Sequence, residues 1–439
     1  MALAGIVIAV VILFVFAYIG FPVILLTFIS AMIVILTNGI DITTGITDLY
    51  LAGAASSFQL FVFIGILGSV MAEFYKDGGG AISIARSLMK ASKKIFKGST
   101  SPLIPILVVN VIGFVLCYGG INGVIAIFIM MPIAMEIMKN YDLPRYLAPG
   151  IMVGATCTAA MTMPGSPQAQ NIIPSLYLGT SPTAGLVAGI IAGILVFVLN
   201  VWFMTAVAKK AVKKGDHFID LPAQMQAPAI EDDNLPNFWI SLIPMITTFI
   251  LYIVVGLNIL MALLAGVVLC VPCFYRQLSG WKTQCNIFTK GSMDSCGLIV
   301  VVCMLSGFGS VVAGTDAFSE LVNGLTTIPG PATFKVLIAM AITVMVAGSG
   351  PAGEMAGIPM FAETFSNLGV SMNAFHRIAA FTGTCLDTLP SNSAVNIAAK
   401  LSAHSVKETY KYCFLTSVLS TSIGAIVVTI LVTIFPYWP

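Results

Sequence analysis

The chain alternates long apolar runs with short polar breaks marked by glycine and proline. A helix needs about 20 apolar residues to cross a hydrocarbon core about 30 Å thick. The pattern predicts such helices over 2–19, 21–38, 53–72, 182–206, 236–256, 257–275, 291–313 and 412–436. Four further stretches, 102–138, 144–178, 332–366 and 374–402, are apolar but interrupted. The first would reach roughly 55 Å as one helix, too long for a single crossing and short for two with a turn. Its centre, Cys117-Tyr118-Gly119-Gly120-Ile121-Asn122-Gly123, predicts a re-entrant hairpin of two half-depth helices meeting at a Gly-rich tip. The stretch 332–366 has the same plan around Gly348-Ser349-Gly350-Pro351-Ala352-Gly353-Glu354. Irregular backbone at such depth is tolerated only where protein or a wet cavity satisfies it.

The stretches 144–178 and 374–402 read as single crossings broken in the middle. The breaks are Met163-Pro164-Gly165-Ser166-Pro167-Gln168-Ala169-Gln170-Asn171 and Leu389-Pro390-Ser391-Asn392-Ser393-Ala394-Val395-Asn396. Proline removes a backbone donor and clashes with the preceding turn; Ser, Asn and Gln nearby supply replacement hydrogen bonds. Between the third span and the first hairpin, Ala81–Lys97 mixes Ile82, Ile84, Leu88, Met89, Ile95 and Phe96 with basic residues. That segment reads as an interfacial amphipathic helix on an anionic inner leaflet, or as a plain basic loop. The apolar start, Met1 to Phe16, carries no Lys or Arg and is expected to be a permanent membrane helix, because a signal peptide wants a basic first region.

The two halves share one order: three spans, a hairpin, a broken span, a final span. Pro390 follows Pro164 by 226 positions and Gly348 follows Gly120 by 228. Five crossings per half would insert the second half upside down. The expected fold class is therefore an all-α polytopic membrane protein of two inverted-topology repeats, 1–206 and 236–439. A linker, 207–235, joins them, basic first and then acidic at Glu231, Asp232 and Asp233. In the first repeat the scaffold helices lie within 1–72, with the hairpin at 102–138, the broken helix at 144–178 and the last helix at 182–206. In the second repeat the scaffold helices lie within 236–313, with the hairpin at 332–366, the broken helix at 374–402 and the last helix at 412–436. Inverted repeats with discontinuous helices are the signature of alternating-access carriers, with substrate near the midplane.

Charge tests this layout. Threading the chain puts Lys76, Arg86, Lys90, Lys93, Lys94, Lys97, Lys139, Arg145, Lys209, Lys210, Lys213, Lys214, Arg276, Lys282, Lys290, Lys400, Lys407 and Lys411 on one side, which is 18 of the 20 basic residues. Lys335 and Arg377 fall outside. The positive-inside rule makes that side cytoplasmic, so both termini are expected outside a bacterial cytoplasmic (inner) membrane. Composition agrees: 9% of residues are charged and 58% hydrophobic, against about 25% charged in a soluble domain. A net charge of +2 leaves no nucleic-acid footprint. Nine cysteines are scattered, and Cys270–Cys273 lacks a second CxxC or a His cluster, so free thiols are expected rather than a metal or redox site. No cofactor is implied. No HExxH or GxSxG occurs at depth, against an intramembrane hydrolase; a channel would not require inverted hairpin repeats.

The candidate chemistry sits in the breaks, where no Lys or Arg is available for an anion. A half-helix N-terminus can receive one instead through free N–H groups and its dipole. Half-helices should begin just after Pro167 and Pro390, offering Ser166, Gln168, Gln170 and Asn171, then Ser391, Asn392, Ser393 and Asn396. Tyr118, Asn122 and Ser349 at the hairpin tips are secondary candidates. The alternative for all of them is simple capping of broken helices. Asp387 and Glu354 are deep carboxyls, and such groups usually face an interior path. Asp387 lies eleven residues beyond His376, roughly 16 Å along a helix. It is therefore a candidate to take a proton from outside, lose its repulsion for an anionic substrate and release both inside, with Glu354 as partner. Sodium held by Ser391, Asn392 and backbone carbonyls is the competing expectation. His376 and Arg377 read as interfacial anchors.

Phe114 to Pro132, Pro164-Gly165-Ser166-Pro167-Gln168-Ala169-Gln170-Asn171-Ile172-Ile173-Pro174 and Leu386-Asp387-Thr388-Leu389-Pro390-Ser391-Asn392 carry a resemblance over essentially the whole chain. It is to the gluconate:proton symporter (GntP) family of the ion transporter superfamily. Within that family the chain is similar to the 3-hydroxybutyrate-permease-like branch. Gluconate-type members have an acidic residue where this chain has Gly119, and a His-containing break where it has Met163-Pro164-Gly165-Ser166-Pro167. The resemblance implies secondary active transport: proton symport of a short hydroxy-monocarboxylate such as 3-hydroxybutyrate, or of a gluconate-like sugar acid. It also implies a scaffold that forms a homodimer in the lipid bilayer and a transport domain of hairpins and broken helices that moves as an elevator.

Overall fold

The computed structural model describes residues 2–18, 21–95, 101–220, 234–347, 349–390, 392–436 and 438. Among these residues every regular element is helical. The first helices are α1 (Ala2–Tyr18), α2 (Val23–Thr37), α3 (Ala52–Asp77, entered through a π-helical Gly45–Leu51) and α4 (Gly80–Ile95). The arms α5 (Leu103–Tyr118) and α6 (Gly123–Asn140) meet at Gly119–Asn122. Then come the broken pair α7 (Ala148–Thr156) and α8 (Ala169–Leu178), and α9 (Leu186–Lys213). The later helices are α10 (Phe238–Phe249, prolonged by a π turn Ile250–Val254), α11 (Ile259–Cys273), α12 (Trp281–Ala313) and α13 (Asp316–Thr327). The second pair of arms is α14 (Ala332–Ala347) and α15 (Gly350–Asn367), and the second broken pair is α16 (Met372–Cys385) and α17 (Ser393–Leu401). Finally α18 (Val406–Cys413) passes through a π turn, Phe414–Leu419, into α19 (Ser420–Ile434).

Each apolar run read from the sequence holds a helix, though the one over 291–313 starts ten residues earlier, at Trp281, and the one over 182–206 runs on to Lys213; both breaks and both tight turns fall at the glycine and proline positions. By length and composition Gly123–Asn140, Leu186–Lys213, Trp281–Ala313 and Val406–Ile434 can each cross a membrane; α1, α2, α5, α11 and α14 are apolar but shorter. Leu3, Val7, Val11, Leu25, Leu36, Ile194, Val198, Met261 and Val268 are exposed, an apolar exterior that lipid, not water, satisfies. The protein is a multi-pass helical membrane protein.

Three departures have physical reasons. The hairpin arms hold 16 and 18 residues in each pair, about 24–27 Å of helix, so they are longer than half-depth. α3 continues beyond residue 72 because Glu73 is paired there, with Lys76 at 3.0 Å and Lys290 at 2.7 Å. The amphipathic α13 escaped the hydropathy reading because it is short and sits between apolar runs; Thr315 accepts from the Phe318 amide at its start. Of the basic and acidic stretches expected in loops, Lys97, Glu231, Asp232 and Asp233 lie outside the described residues, as does Phe96 of the 81–97 segment, whose helix is otherwise present as α4.

The helices sort into two packed groups. In one, α3 lies along α12, with α11 against α3 and α2 against α12, while α1 pairs with α2 and α10 with α11. Small residues let α3 and α12 approach: a Cβ on Gly291 would sit 2.6 Å from the Cα of Val70, and Ser57 bonds Ser306 across the seam. In the other group α5 packs on α7 as α14 packs on α16, and α6 packs on α17 as α15 packs on α8, with α9 against α19. The basic loops share one end: Lys290 reaches Glu73, Lys139 bonds Asp220 at 2.6 Å, and the Tyr146 ring contacts His404 and Tyr412.

Candidate functional site

A cavity of about 750 Å³ lies between the two groups. One wall is α3 and α12, through Phe61, Gly65, Gly68, Ile299 and Val302. The other is made by the hairpin tips and helix breaks: Gly120, Asn122, Cys157, Gln168, Gln170, Ser349, Asp387, Thr388, Asn392 and Ser393. The cavity runs on to Glu73, Lys76 and Asp294, at the end that carries the basic loops. It has the size expected of a small-molecule site, concave and mostly apolar with a few convergent polar groups.

Each tip is fastened to a break. Gln168 donates Nε2 to the carbonyls of Cys117 (2.6 Å) and Ile121 (3.0 Å), tying the turn after α5 to the break. At the second tip the Gly350 amide donates to Asp387 Oδ1 at 2.9 Å. The close approach needs glycine, because a Cβ on Gly350 would fall 2.0 Å from the Gly383 carbonyl oxygen, and one on Gly383 would fall 2.0 Å from Glu354 Oε1. At the equivalent place in the first half Gly123 packs on Cys157 and Met161. Tyr118 donates to the Pro164 carbonyl at 2.7 Å, closing the first tip over its break.

The candidates thus separate. Asn122, Gln168, Gln170, Ser349, Asp387, Asn392 and Ser393 line the one cavity. Ser166 is fully buried and donates to the Ala160 carbonyl. Asn171 is fully buried too, and donates to the carbonyls of Ser166 and Pro182. Asn396 donates to the carbonyls of Pro390 and Asn392 and faces a different surface cavity. Tyr118 is spent on Pro164. Glu354 is fully buried behind the cavity wall, and neither of its oxygens has a hydrogen-bond partner among the described residues. Ser391 and Gly348 lie outside the described residues. Asp387 bridges its surroundings: Asn392 Nδ2 donates to its backbone carbonyl at 2.9 Å and lies 3.4 Å from Oδ1. Behind it the Thr388 hydroxyl donates to Ser417, in the π turn of the last span.

His376 and Arg377 are not interfacial anchors. Both are fully buried. The Arg377 guanidinium donates to the carbonyls of Ala184 (2.8 Å), Thr162 (2.7 Å) and Pro182 (3.3 Å) and to Asn171 Oδ1 (3.0 Å). All four acceptors are neutral and all belong to the first half of the chain. His376 Nε2 donates to the same Asn171 Oδ1 at 3.2 Å, which leaves Nδ1 to accept from Thr180 at 2.7 Å. The forked, five-donor guanidinium is suited to the diverging carbonyls of a broken helix. An ionisable residue inside an apolar span was the sequence signal for this role; the partners, some 200 positions away, were not readable. Among the described residues no three His, Cys, Asp or Glu side chains converge to hold a metal.

Comparison with known proteins follows from this geometry. A family model described as GntP family permease matches residues 1–266. YxjC, an uncharacterized transporter of Bacillus subtilis (strain 168), is 22% identical over 460 residues, spanning 92% of this chain and 93% of its own. The crystal structure of the YdaH transporter of Alcanivorax borkumensis, described as having an unusual topology, covers 88% of each chain with a TM-score of 0.60 at 14% identity, a likeness of fold alone.

Proposed function

The chain belongs to the GntP family of permeases, and on that premise we propose that this transporter is a proton-coupled symporter of a short organic monocarboxylate, hydroxylated as in 3-hydroxybutyrate, working as an elevator. The observation that carries the reading is the single cavity on which both helix breaks, both hairpin tips and Asp387 converge. Lys76 is the one basic residue on its described wall, and Glu73 occupies it. Two half-helix termini balance one carboxylate more readily than two or three. That favours a monocarboxylate over citrate-like acids.

The two-group packing supports the elevator. The paired contacts α5–α7 with α14–α16, and α6–α17 with α15–α8, are consistent with the repeat read from the sequence, and the cavity lies where a moving group would slide past α3 and α12. The tips end against the breaks rather than at the bundle surface, as re-entrant hairpins would. On the charge argument Lys93, Lys210 and Arg276 face the cytoplasm of a bacterium, the termini face outward, and the cavity opens inward. Dimerisation through the scaffold belongs to the same proposal.

Proton coupling rests on the position of Asp387, a cavity-lining carboxyl one oxygen of which is held by the Gly350 amide. Purified protein in proteoliposomes tests the reading. An imposed inward pH gradient should drive accumulation of labelled 3-hydroxybutyrate, and monocarboxylates should compete best. Uptake that requires sodium and ignores the pH gradient would refute the proton. Citrate as the best competitor would refute the substrate class, and flux that never exceeds equilibrium would refute a carrier.

A further inference from the structure

Four helix N-termini converge on the cavity, those of α6, α8, α15 and α17, and they are not equivalent. At α6 the Asn122 side chain accepts from the Val124 amide at 3.0 Å. At α17 the Asn392 side chain accepts from the Ala394 amide at 2.7 Å. At α15 the first amide, Gly350, is taken by Asp387, and the second residue is Pro351, which has no N–H. Three of the four are therefore capped by the protein itself.

α8 is different. Its N-cap residue, Gln168, makes no side-chain cap, because its amide is committed to Cys117 and Ile121. Among the described residues no acceptor takes the amides of Ala169 or Gln170, whereas the Asn171 amide bonds the Gln168 carbonyl. A second observation concerns Gln170. Its side chain is 4% exposed and lines the cavity, yet it has no hydrogen-bond partner among the described residues. Its amide atoms are not among the enclosed ones, so the unbonded carboxamide opens onto the cavity, beside two open backbone donors at the positive end of a ten-residue helix.

We propose that the N-terminus of α8 is the carboxylate subsite: the substrate's carboxylate accepts from the amides of Ala169 and Gln170 and from the Gln170 carboxamide, while the rest of the molecule extends toward Ser393 and Asp387. This assignment rests on reading the cavity as the transport site, and it separates two tasks. The neutral first half holds the anion, and the second half holds the proton. It also places the substrate's negative charge away from Asp387 rather than upon it.

The test compares two added negative charges in the full-length protein, purified into nanodiscs, by direct binding of 3-hydroxybutyrate, lactate and acetoacetate. Gln170→Glu puts a carboxylate in the proposed subsite. An acid in the first turn of a helix suits its dipole, so the fold should hold, and a melting curve checks that it does. Ser69→Asp puts a carboxylate on the opposite wall of the same cavity, on α3. The expected result is at least a tenfold loss of binding in Gln170→Glu and a change under threefold in Ser69→Asp. Equal losses, or a larger loss in Ser69→Asp, would overturn the subsite while leaving monocarboxylate transport standing. If no acid binds the wild-type protein, the subsite and the substrate class both fail.

Discussion

The two halves of the transport machinery share a backbone plan and differ in chemistry. In the first, Gly123 of the hairpin rests on Cys157 and Met161 of the broken helix; in the second, Gly350 rests on Gly383 and Asp387. The first break is stitched to its tip by a neutral amide, Gln168, and the second by an acid, Asp387. The same close contact is thus inert in one half and ionisable in the other, with Glu354 buried one turn along from Gly350. On the proposed reading, a single ionisable half suffices for coupling and leaves the other free to receive an anion.

The sharpest way to break this comparison is to neutralise the charged half. Asp387→Asn keeps an oxygen for the Gly350 amide, so the tip should stay docked. Proton-driven accumulation should fall to the equilibrium level while exchange of internal for external substrate survives. Normal accumulation in this variant would remove Asp387 from the coupling path.

Arg377→Met probes whether the halves depend on each other. It strands the carbonyl oxygens of Thr162 and Ala184, each costing about 1–3 kcal/mol when left without a donor, whereas Pro182 and Asn171 Oδ1 keep other donors. A fall in melting temperature of roughly 5 °C or more should follow, and Arg377→Lys should not restore it, because a point ammonium cannot fork to diverging carbonyls. A third substitution, Gly383→Ala, tests the asymmetry directly. Its Cβ would meet Glu354 Oε1 at 2.0 Å, and overpacking of this kind costs about 1–3 kcal/mol. Transport should drop severalfold. Cys157→Ala, at the corresponding place in the first half, removes an atom without adding a clash and should change transport little.

The smallest effect lies outside the membrane. The segment 214–220 is strapped to the 139–146 loop. Asp142 accepts from the Phe218 amide at 2.9 Å and pairs with His217 at 2.6 Å, and Tyr146 donates to Asp216 at 2.5 Å. The Phe218 amide first, and His217 second, hold the Asp142 carboxyl below the usual carboxylate range. A depressed acid contributes above its unfolded value and loses that contribution as pH falls through its folded value. Hydrogen-exchange protection of 214–220 should therefore be full at neutral pH and fade below about pH 4. In Asp142→Asn it should be reduced already at pH 7.

Much of the fold was legible because apolar length and proline placement are local signals. The breaks at Pro164 and Pro390 and the tips at Gly120 and Gly350 needed no partner to be recognised. The site was only partly legible, because side-chain type does not say which way a polar group will be spent. Ser166, Asn171 and Asn396 have the same chemistry as Gln170 and Ser393, but their neighbours in space claim them. Nor could a sequence reveal that Gln168 abandons its own helix end for the tip, leaving α8 open. His376 and Arg377 were misread for the same reason: depth along a span was estimated from one helix, whereas burial comes from the first-half loop 179–185 folded over them.

That loop and its arginine bear on how such a gene can be divided. The guanidinium contributed by residue 377 satisfies oxygens contributed by residues 162–184, so neither half-chain has a complete set of donors and acceptors when synthesised alone. Two fragments cut within 221–233 should each accumulate poorly, and together they should regain folded protein only by meeting in the same bilayer. Once this cross-strut exists, the two halves of the chain are inherited, and lost, together.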